Sequence, residues 1–403
     1  MTDSLRVRVE ALPGMDVLLP ALDGLDPAYL VGGAVRDLLL GARSVDFDLA
    51  IEGDAPAVAR TVADRLGGDA VVHDRFGTAT VRSGDLAVDL ASTRRETYER
   101  PGALPTVEQA GLDEDLRRRD FTVNAVAIAL TGDGAGELRD PYGGAADVAS
   151  GTIRVLHDGS FLDDPTRLLR AVRYEARLSF PMDSATERLA REAAEAGALD
   201  TVSGPRVRDE LIDLLGERDA PASVERMAEL GIAAALDPAL VADGELVAAS
   251  KRGSAEPGAD PALSALAALC SGGVVGLVER LGLPAARRDR VVRAAERGRD
   301  LASALASPLR PSELHALLAA EPPEALALAL AFGAPEEPVR SFVADLRDVS
   351  LEIGGEDLLA EGVPESPAIG EALAETLRRR LDGQVAGRDE ELRTAVELAR
   401  GER

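Results

Sequence analysis

Within one short stretch the chain spells a strand, a tight turn, a short helix and a second strand. It reads Leu30-Val31-Gly32-Gly33-Ala34-Val35-Arg36-Asp37-Leu38-Leu39-Leu40-Gly41, then Val45-Asp46-Phe47-Asp48-Leu49. Gly32 and Gly33 allow a turn that side chains with a Cβ resist, and Gly41 stops the helix. Asp46 and Asp48 stand two apart in an alternating run. Strand geometry therefore puts both carboxylates on one face while Val45, Phe47 and Leu49 pack on the other. Backbone amides at the turn can face a phosphate, with Arg36 adding charge. Two carboxylates on one rigid face suit Mg²⁺, which takes hard oxygen ligands completed by substrate phosphates. An Asp-x-Asp pair is most often only a solvated edge; the glycine turn beside it argues for a site.

Leu86-Ala87-Val88-Asp89-Leu90 reads as a further strand carrying a third carboxylate. With Asp46 and Asp48, Asp89 could hold two metals, one at an attacking hydroxyl and one at a triphosphate. Thr78 to Arg82 and Leu86 to Ala91, joined by Ser83-Gly84-Asp85, predict a hairpin. Asp54 as N-cap, Pro56 in the first turn and Gly67-Gly68 as the stop predict a helix over 55–66. Arg117-Arg118-Arg119-Asp120-Phe121-Thr122-Val123-Asn124 offers phosphate contacts beside hydrogen-bonding groups for a ribose; by itself it reads as a charge cluster at a helix start. Thr93 to Pro105, rich in Gly, Pro and charge, predicts a mobile loop.

From about residue 161 the pattern turns helical. Leu168, Leu169, Val172, Ala176 and Leu178 form an apolar stripe flanked by Arg167, Arg170, Arg173 and Arg177, a candidate nucleotide or RNA face. Ala242 to Pro261 predicts a linker or long loop. The net charge of −26 argues against non-specific coating of nucleic acid, yet residues 311–370 alone carry 12 acidic and 2 basic residues, so a local basic face remains compatible. Lys251 is the only lysine, which leaves positive charge almost wholly to arginine. With aromatics at 3% and no Trp, a row of base-stacking rings is a poor fit. Cys270, the single cysteine, excludes an intramolecular disulfide and reads as a small core residue in a cytoplasmic protein. Only His73, His157 and His315 are available for histidine-based metal chemistry, too few to make His157-Asp158 a metal pair. No apolar run reaches the ~18 residues of a membrane span, and the charged N-terminus predicts no secretory signal. Arg287, Arg288, Arg290 and Arg293 are read equally as an RNA-following patch or a solvated helix face.

Gly32-Gly33-x-x-Arg36-Asp37, Asp46-x-Asp48 and Arg118-Arg119-Asp120-Phe121-Thr122-x-Asn124-Ala125, in this order and spacing, resemble motifs of the bacterial class II tRNA nucleotidyltransferases and poly(A) polymerases. Asp140-Pro141-Tyr142-Gly143-Gly144 is similar to the hinge after that family's catalytic head. Ser160-Phe161-x-Asp163-Asp164-Pro165-x-Arg167-x-x-Arg170-Ala171-x-Arg173 is similar to its nucleotide-selecting motif, with Asp163 where the family usually has Glu. Gly204-Pro205-Arg206-Val207-Arg208-Asp209-Glu210 resembles a further motif that supports the neck.

The resemblance implies an α+β nucleotidyltransferase (polymerase-β-like) head over 1–148, then an all-α neck over 149–241, body over 242–345 and tail over 346–403. It implies Asp46, Asp48 and Asp89 as the Mg²⁺-binding catalytic carboxylates. Nucleotide contacts fall to Gly32, Gly33, Arg36, Asp37, Arg118 and Arg119 around the triphosphate, to Asp120 and Asn124 at the sugar, to Asp164 and Arg167 at the base, and to Arg170 and Arg173. The implied reaction is addition of CCA to the tRNA 3′ end from CTP and ATP with release of pyrophosphate. A full-length loop at 93–105 is implied for A addition. An A-adding specialist, a poly(A) polymerase and an inactive RNA-binding relative are the alternatives.

Overall fold

The computed structural model describes residues 2–42, 47–73, 77–273 and 275–401. Asp46 lies outside the described residues. The chain folds as two compact units, Met1–Glu210 with Arg226–Leu236, and Leu211–Glu225 with Asp237–Arg403. Among the described residues no single helix is long and apolar enough to cross a membrane.

The first unit is built on a seven-stranded sheet. Its strands are β1 (Ala28–Val31), β2 (Phe47–Ile51), β3 (Asp69–His73), β4 (Thr78–Ser83), β5 (Leu86–Ser92), β8 (Ala127–Ala129) and β9 (Leu138–Arg139), in the order β3-β4-β5-β2-β1-β8-β9. Only β2 and β5 run parallel, and every other neighbouring pair is antiparallel. The expected hairpin is β4–β5, closed at Ser83 opposite Leu86. The remaining strands, β6 (Arg94–Thr97) and β7 (Thr106–Gln109), form a separate ribbon. The segment expected as one mobile loop from Thr93 is therefore paired as far as Thr97, and the connection proper is residues 98–105.

Among the described residues, ten helices accompany the strands up to Gly216: α1 (Thr2–Glu10), α2 (Met15–Leu22), α3 (Gly33–Leu39), α4 (Ala55–Leu66), α5 (Leu112–Arg117), α6 (Gly144–Ser150), α7 (Ser160–Asp163), α8 (Arg167–Leu178), α9 (Ser184–Glu195) and α10 (Gly204–Gly216). Asp54 caps α4 by accepting from the Ala57 amide, and Gly67 ends it at φ +62°; such a cap contributes ~1 kcal/mol. Val58, Ala59, Val62 and Ala63 of α4, with Leu18 and Leu22 of α2, cover one sheet face as part of a single apolar cluster with Leu30, Leu49, Val81 and Leu90. That covering leaves the opposite face of β2 and β5, where the carboxylates point, free to border a cleft.

The second unit is helical. The stretch 242–261, expected as a linker, contains a helix, Gly244–Gly253, capped by Asp243 and burying Val247 and Ser250. Its glycines lie at the ends of the helix, where they do not break it. Cys270 is a buried core residue, as its apolar setting predicts; burial pushes its thiol up to about 12.

Candidate active site

A cleft of about 830 Å³ opens in the first unit. Gly32, Gly33, Asp48, Asp89, Arg118, Arg119, Asp120, Asn124, Asp164, Arg167 and Arg170 all border it. Residues far apart in sequence thus meet around one volume large enough for a nucleotide.

The carboxylate wall comes from strand register. Asp48 on β2 is the direct partner of Asp89 on β5, and Thr80 on β4 faces Asp89 from the other side. Neighbouring strands lie about 4.8 Å apart, so two carboxylates share one face at close range. The hydroxyl of Thr80 donates to Asp89 Oδ1, which fixes that side chain. Gly32, which follows β1, adopts φ +70°, and a Cβ there would come within 2.8 Å of Arg119 Nη1. An added Cβ would push the Arg119 guanidinium aside, and the positive φ favours glycine at this position. Its own N–H donates to Val126 O at 3.2 Å, so that amide serves the sheet, contrary to its expected use on a phosphate.

The basic residues 117–119 close α5, where guanidinium groups complement the helix C-terminus, so the expectation of a helix start is corrected. Arg118 Nε donates to Asp115 Oδ1 at 2.9 Å and its Nη1 to Glu96 at 3.2 Å; Arg119 Nη2 donates to Asp115 Oδ2 at 3.3 Å. The buried Asp115 therefore aims both arginines at the cleft. The i, i+3 and i, i+4 spacing from Asp115 was the available signal for this role.

Arg36 and Asp37 stand behind the cleft wall. The Arg36 side chain, 4% exposed, donates to Asp37 Oδ1 at 2.9 and 2.8 Å and to Asn124 Oδ1 at 2.7 Å, and its guanidinium lies 5.6 Å from the Tyr174 ring centroid. Arg36 does not line the cleft; three of its five N–H donors are given to Asp37 and Asn124, so here it braces those two residues. Asp120 and Asn124 are similarly engaged. Asn124 Nδ2 and the Phe121 amide donate to Asp120 Oδ1 at 3.0 and 2.8 Å, while Arg170 Nε and Nη2 donate to Oδ2 at 3.0 and 2.6 Å. Burial by itself would raise the Asp120 carboxyl, but Arg170 and these hydrogen bonds outweigh it and hold the group below the usual carboxylate range. Burial likewise opposes the charge of Arg170, and Asp120, Tyr174 and Glu210 more than restore it.

At the far side, Asp164 Oδ1 accepts from the Thr166 amide and hydroxyl at 3.1 and 2.7 Å and pairs with Arg206 Nη2 at 2.9 Å. Arg167 Nη1 donates to Ser160 Oγ and Nη2 to the Arg118 carbonyl, each at 2.6 Å. Arg173 does not border the cleft; its Nη2 lies 3.4 Å from Glu210 Oε2, while Arg170 Nη1 donates to Glu210 Oε1 at 2.9 Å. Tyr98, Tyr174, Arg206 and Glu210 also line the cleft and were not singled out as site residues. Tyr174 could have been found from its spacing, four residues after Arg170 on the same helix face. His157 sits 3.7 Å from Asp163; burial, only partly offset by that carboxylate, lowers its pKa.

Among known families, the poly A polymerase head domain matches residues 28–154, and a probable RNA- and SrmB-binding site of polymerase A matches residues 179–243. An A-adding tRNA nucleotidyltransferase of Geobacter sulfurreducens is 38% identical over 93% of this chain, which spans 45% of that relative's length. A CC-adding tRNA nucleotidyltransferase of Deinococcus radiodurans is 35% identical over 91% of this chain and 88% of its own length. The solved complex of a CCA-adding enzyme with CTP superposes with a TM-score of 0.82 at 30% identity, covering 100% of this chain and 99% of that one. Fold, cleft and these likenesses agree: the chain belongs to the tRNA nucleotidyltransferase and poly(A) polymerase family.

Proposed function

We propose that this protein adds nucleotides to the 3′ end of tRNA without a template, building CCA from CTP and ATP and releasing pyrophosphate. The observation that carries the reading is the pairing of Asp48 with Asp89 on the wall of a cleft that Arg118, Arg119, Asp164 and Arg167 also line. Two adjacent carboxylates repel each other unless a cation joins them, and their oxygens are the hard donors that Mg²⁺ prefers. The residues fit that ion: Asp48 and Asp89, with Asp46 two residues before Asp48 in the same strand pattern, would hold it. Bound there, it supplies charge neutralisation at the triphosphate and acidifies the attacking hydroxyl.

The residues themselves then divide the work. Arg118 and Arg119, aimed by Asp115, bind the triphosphate, and Arg170 with Asp120 keeps the head wall and α8 in register around the sugar. Asp164 and Arg167 meet the base edge. The tRNA 3′ oxygen bonds to the α-phosphorus, the bond from that phosphorus to the pyrophosphate oxygen breaks, and the hydroxyl proton leaves toward the carboxylate wall. On this reading the chain divides by role into a head over 1–148, neck over 149–241, body over 242–345 and tail over 346–403, bounds that differ from those of its two compact units.

A second reading, A addition alone, is favoured by the name of the Geobacter relative, whose likeness runs along 93% of the chain. Gel-resolved extension separates the readings: tRNAs ending before CCA, after C and after CC, beside an unstructured RNA, each with Mg²⁺ and single nucleotides. Addition of C, C and A followed by arrest supports the proposal, and A addition only to the CC-ended tRNA supports the second reading. Long A tails on the unstructured RNA indicate a poly(A) polymerase. No extension of any substrate indicates an RNA-binding relative without activity.

A further inference from the structure

We propose that Arg206 is a positioning residue for the base-facing carboxylate, holding Asp164 in one orientation and tying that orientation to a glycine seat in the segment between β6 and β7. The inference rests on the nucleotidyl-transfer reading above.

Asp164 stands between α7 and α8, so its side chain is oriented by what it bonds. The Thr166 amide, the Thr166 hydroxyl and Arg206 Nη2 all converge on Oδ1. Oδ2 has no hydrogen-bond partner among the described residues, and Asp164 borders the cleft. That leaves Oδ2 as the oxygen available to accept from a base in the cleft. The exocyclic amino groups of cytosine and adenine donate at that edge, whereas uracil and guanine place an oxygen there, so a fixed acceptor selects the first two and repels the others. Selection of this kind needs the acceptor held to within about half an ångström.

The other terminal nitrogen of Arg206, Nη1, reaches the carbonyl of Gly102 at 3.4 Å. The Gly102 amide donates to Leu162 O, on α7, at 3.2 Å. Gly102 has φ +69°, and a Cβ there would lie 2.2 Å from Thr201 Oγ1 and 2.7 Å from the Thr201 carbonyl. The backbone is seated where no side chain fits. Tyr98 and Pro105, which bound this connection, both border the cleft. A single guanidinium thus joins the connection, α10 and the acceptor that faces the base. The forked donors of arginine span both partners, whereas a lysine reaches one.

The test compares native protein with Arg206→Met, Arg206→Lys and Gly102→Ala. CTP, ATP and UTP are each used for tRNA extension, equilibrium dialysis measures the same labelled nucleotides, and thermal unfolding is followed in parallel. Arg206→Met is expected to raise KM for CTP and ATP by about 10- to 100-fold with kcat within a few-fold of native, and to lose at least about tenfold of the discrimination against UTP. Arg206→Lys recovers part of that discrimination, and Gly102→Ala loses part of it with Arg206 still present. Native discrimination in Arg206→Met overturns the proposal. So does an equal loss for all nucleotides that tracks a lowered unfolding midpoint, because that is a purely structural role. If the native protein extends no tRNA, the functional reading fails by itself. The dialysis then still decides: selective binding of CTP over UTP that Arg206→Met abolishes supports the assignment, and equal binding by the native protein overturns it.

Discussion

In the second unit the fully buried Glu324 accepts from the Asp260 amide at 3.1 Å and from Arg290 Nε at 2.8 Å, so both of its oxygens are satisfied. Glu321 and Glu391 are completed in the same manner, the first by Arg293 and Arg297, the second by the Glu352 amide and Arg380. The cleft of the first unit uses the same residue types, and some of their buried atoms carry no hydrogen bond. Glu210 Oε2 is buried with no hydrogen bond and is met by the Arg173 ion pair at 3.4 Å, Arg119 Nε is buried with no hydrogen bond, and Asp48 and Asp89 are in direct register on adjacent strands. A buried polar atom without a partner costs about 1–3 kcal/mol. Where such atoms gather in a cleft, a ligand is the natural partner. Within the basic stretch 287–293, Arg290 and Arg293 are paired with Glu324 and Glu321, whereas Arg287 is exposed and Arg288 pairs with the adjacent Asp289.

The contrast can be broken most sharply at the carboxylate wall. Asp48→Ala and Asp89→Ala are each expected to lower kcat/KM for tRNA extension by about 10³-fold or more, with little change in the unfolding midpoint. A large fall in stability would place these residues with the structural carboxylates of the second unit. Glu324→Ala gives the mirror result, a loss of about 2–4 kcal/mol in urea unfolding with nucleotide affinity retained.

Asp120→Asn falls between the two, with ~2 kcal/mol of destabilisation expected at neutral pH. The pKa of Asp120 is lowered in the folded protein, so its ionisation stabilises fully above the unfolded value, about 4, and that contribution is lost as pH falls through the lower folded value. The difference in midpoint between native and Asp120→Asn should therefore hold from pH 8 down to about pH 4 and close only below it. Closure near pH 6 would contradict the assigned direction. Arg287→Ala, on an exposed position, should change stability by less than about 0.5 kcal/mol and leave extension unaltered.

Local signals were legible in the sequence because they depend on residues close in the chain. The Asp54 cap, the Gly67 stop and the Ser83-Gly84-Asp85 turn each fix an element within a few positions, and the structure holds all three. The linker reading of 242–261 failed because glycine and proline counts ignore position; Asp243 caps a helix whose glycines lie only at its ends. The cleft residues were legible as motifs, but their division of labour was not. That Arg36 braces Asn124, that Asp115 aims two arginines, and that Arg206 holds Asp164 all depend on partners brought together by tertiary packing, 88 residues apart in the first case.

The most direct test of the account follows ATP bound, A incorporated and pyrophosphate released on a tRNA ending in CC, for the native protein and for Asp89→Ala. The account predicts one pyrophosphate per A added by the native protein. It also predicts that Asp89→Ala binds ATP within about fivefold of native and releases almost none. Native-rate pyrophosphate release by Asp89→Ala, or failure of the native protein to incorporate A, would contradict it.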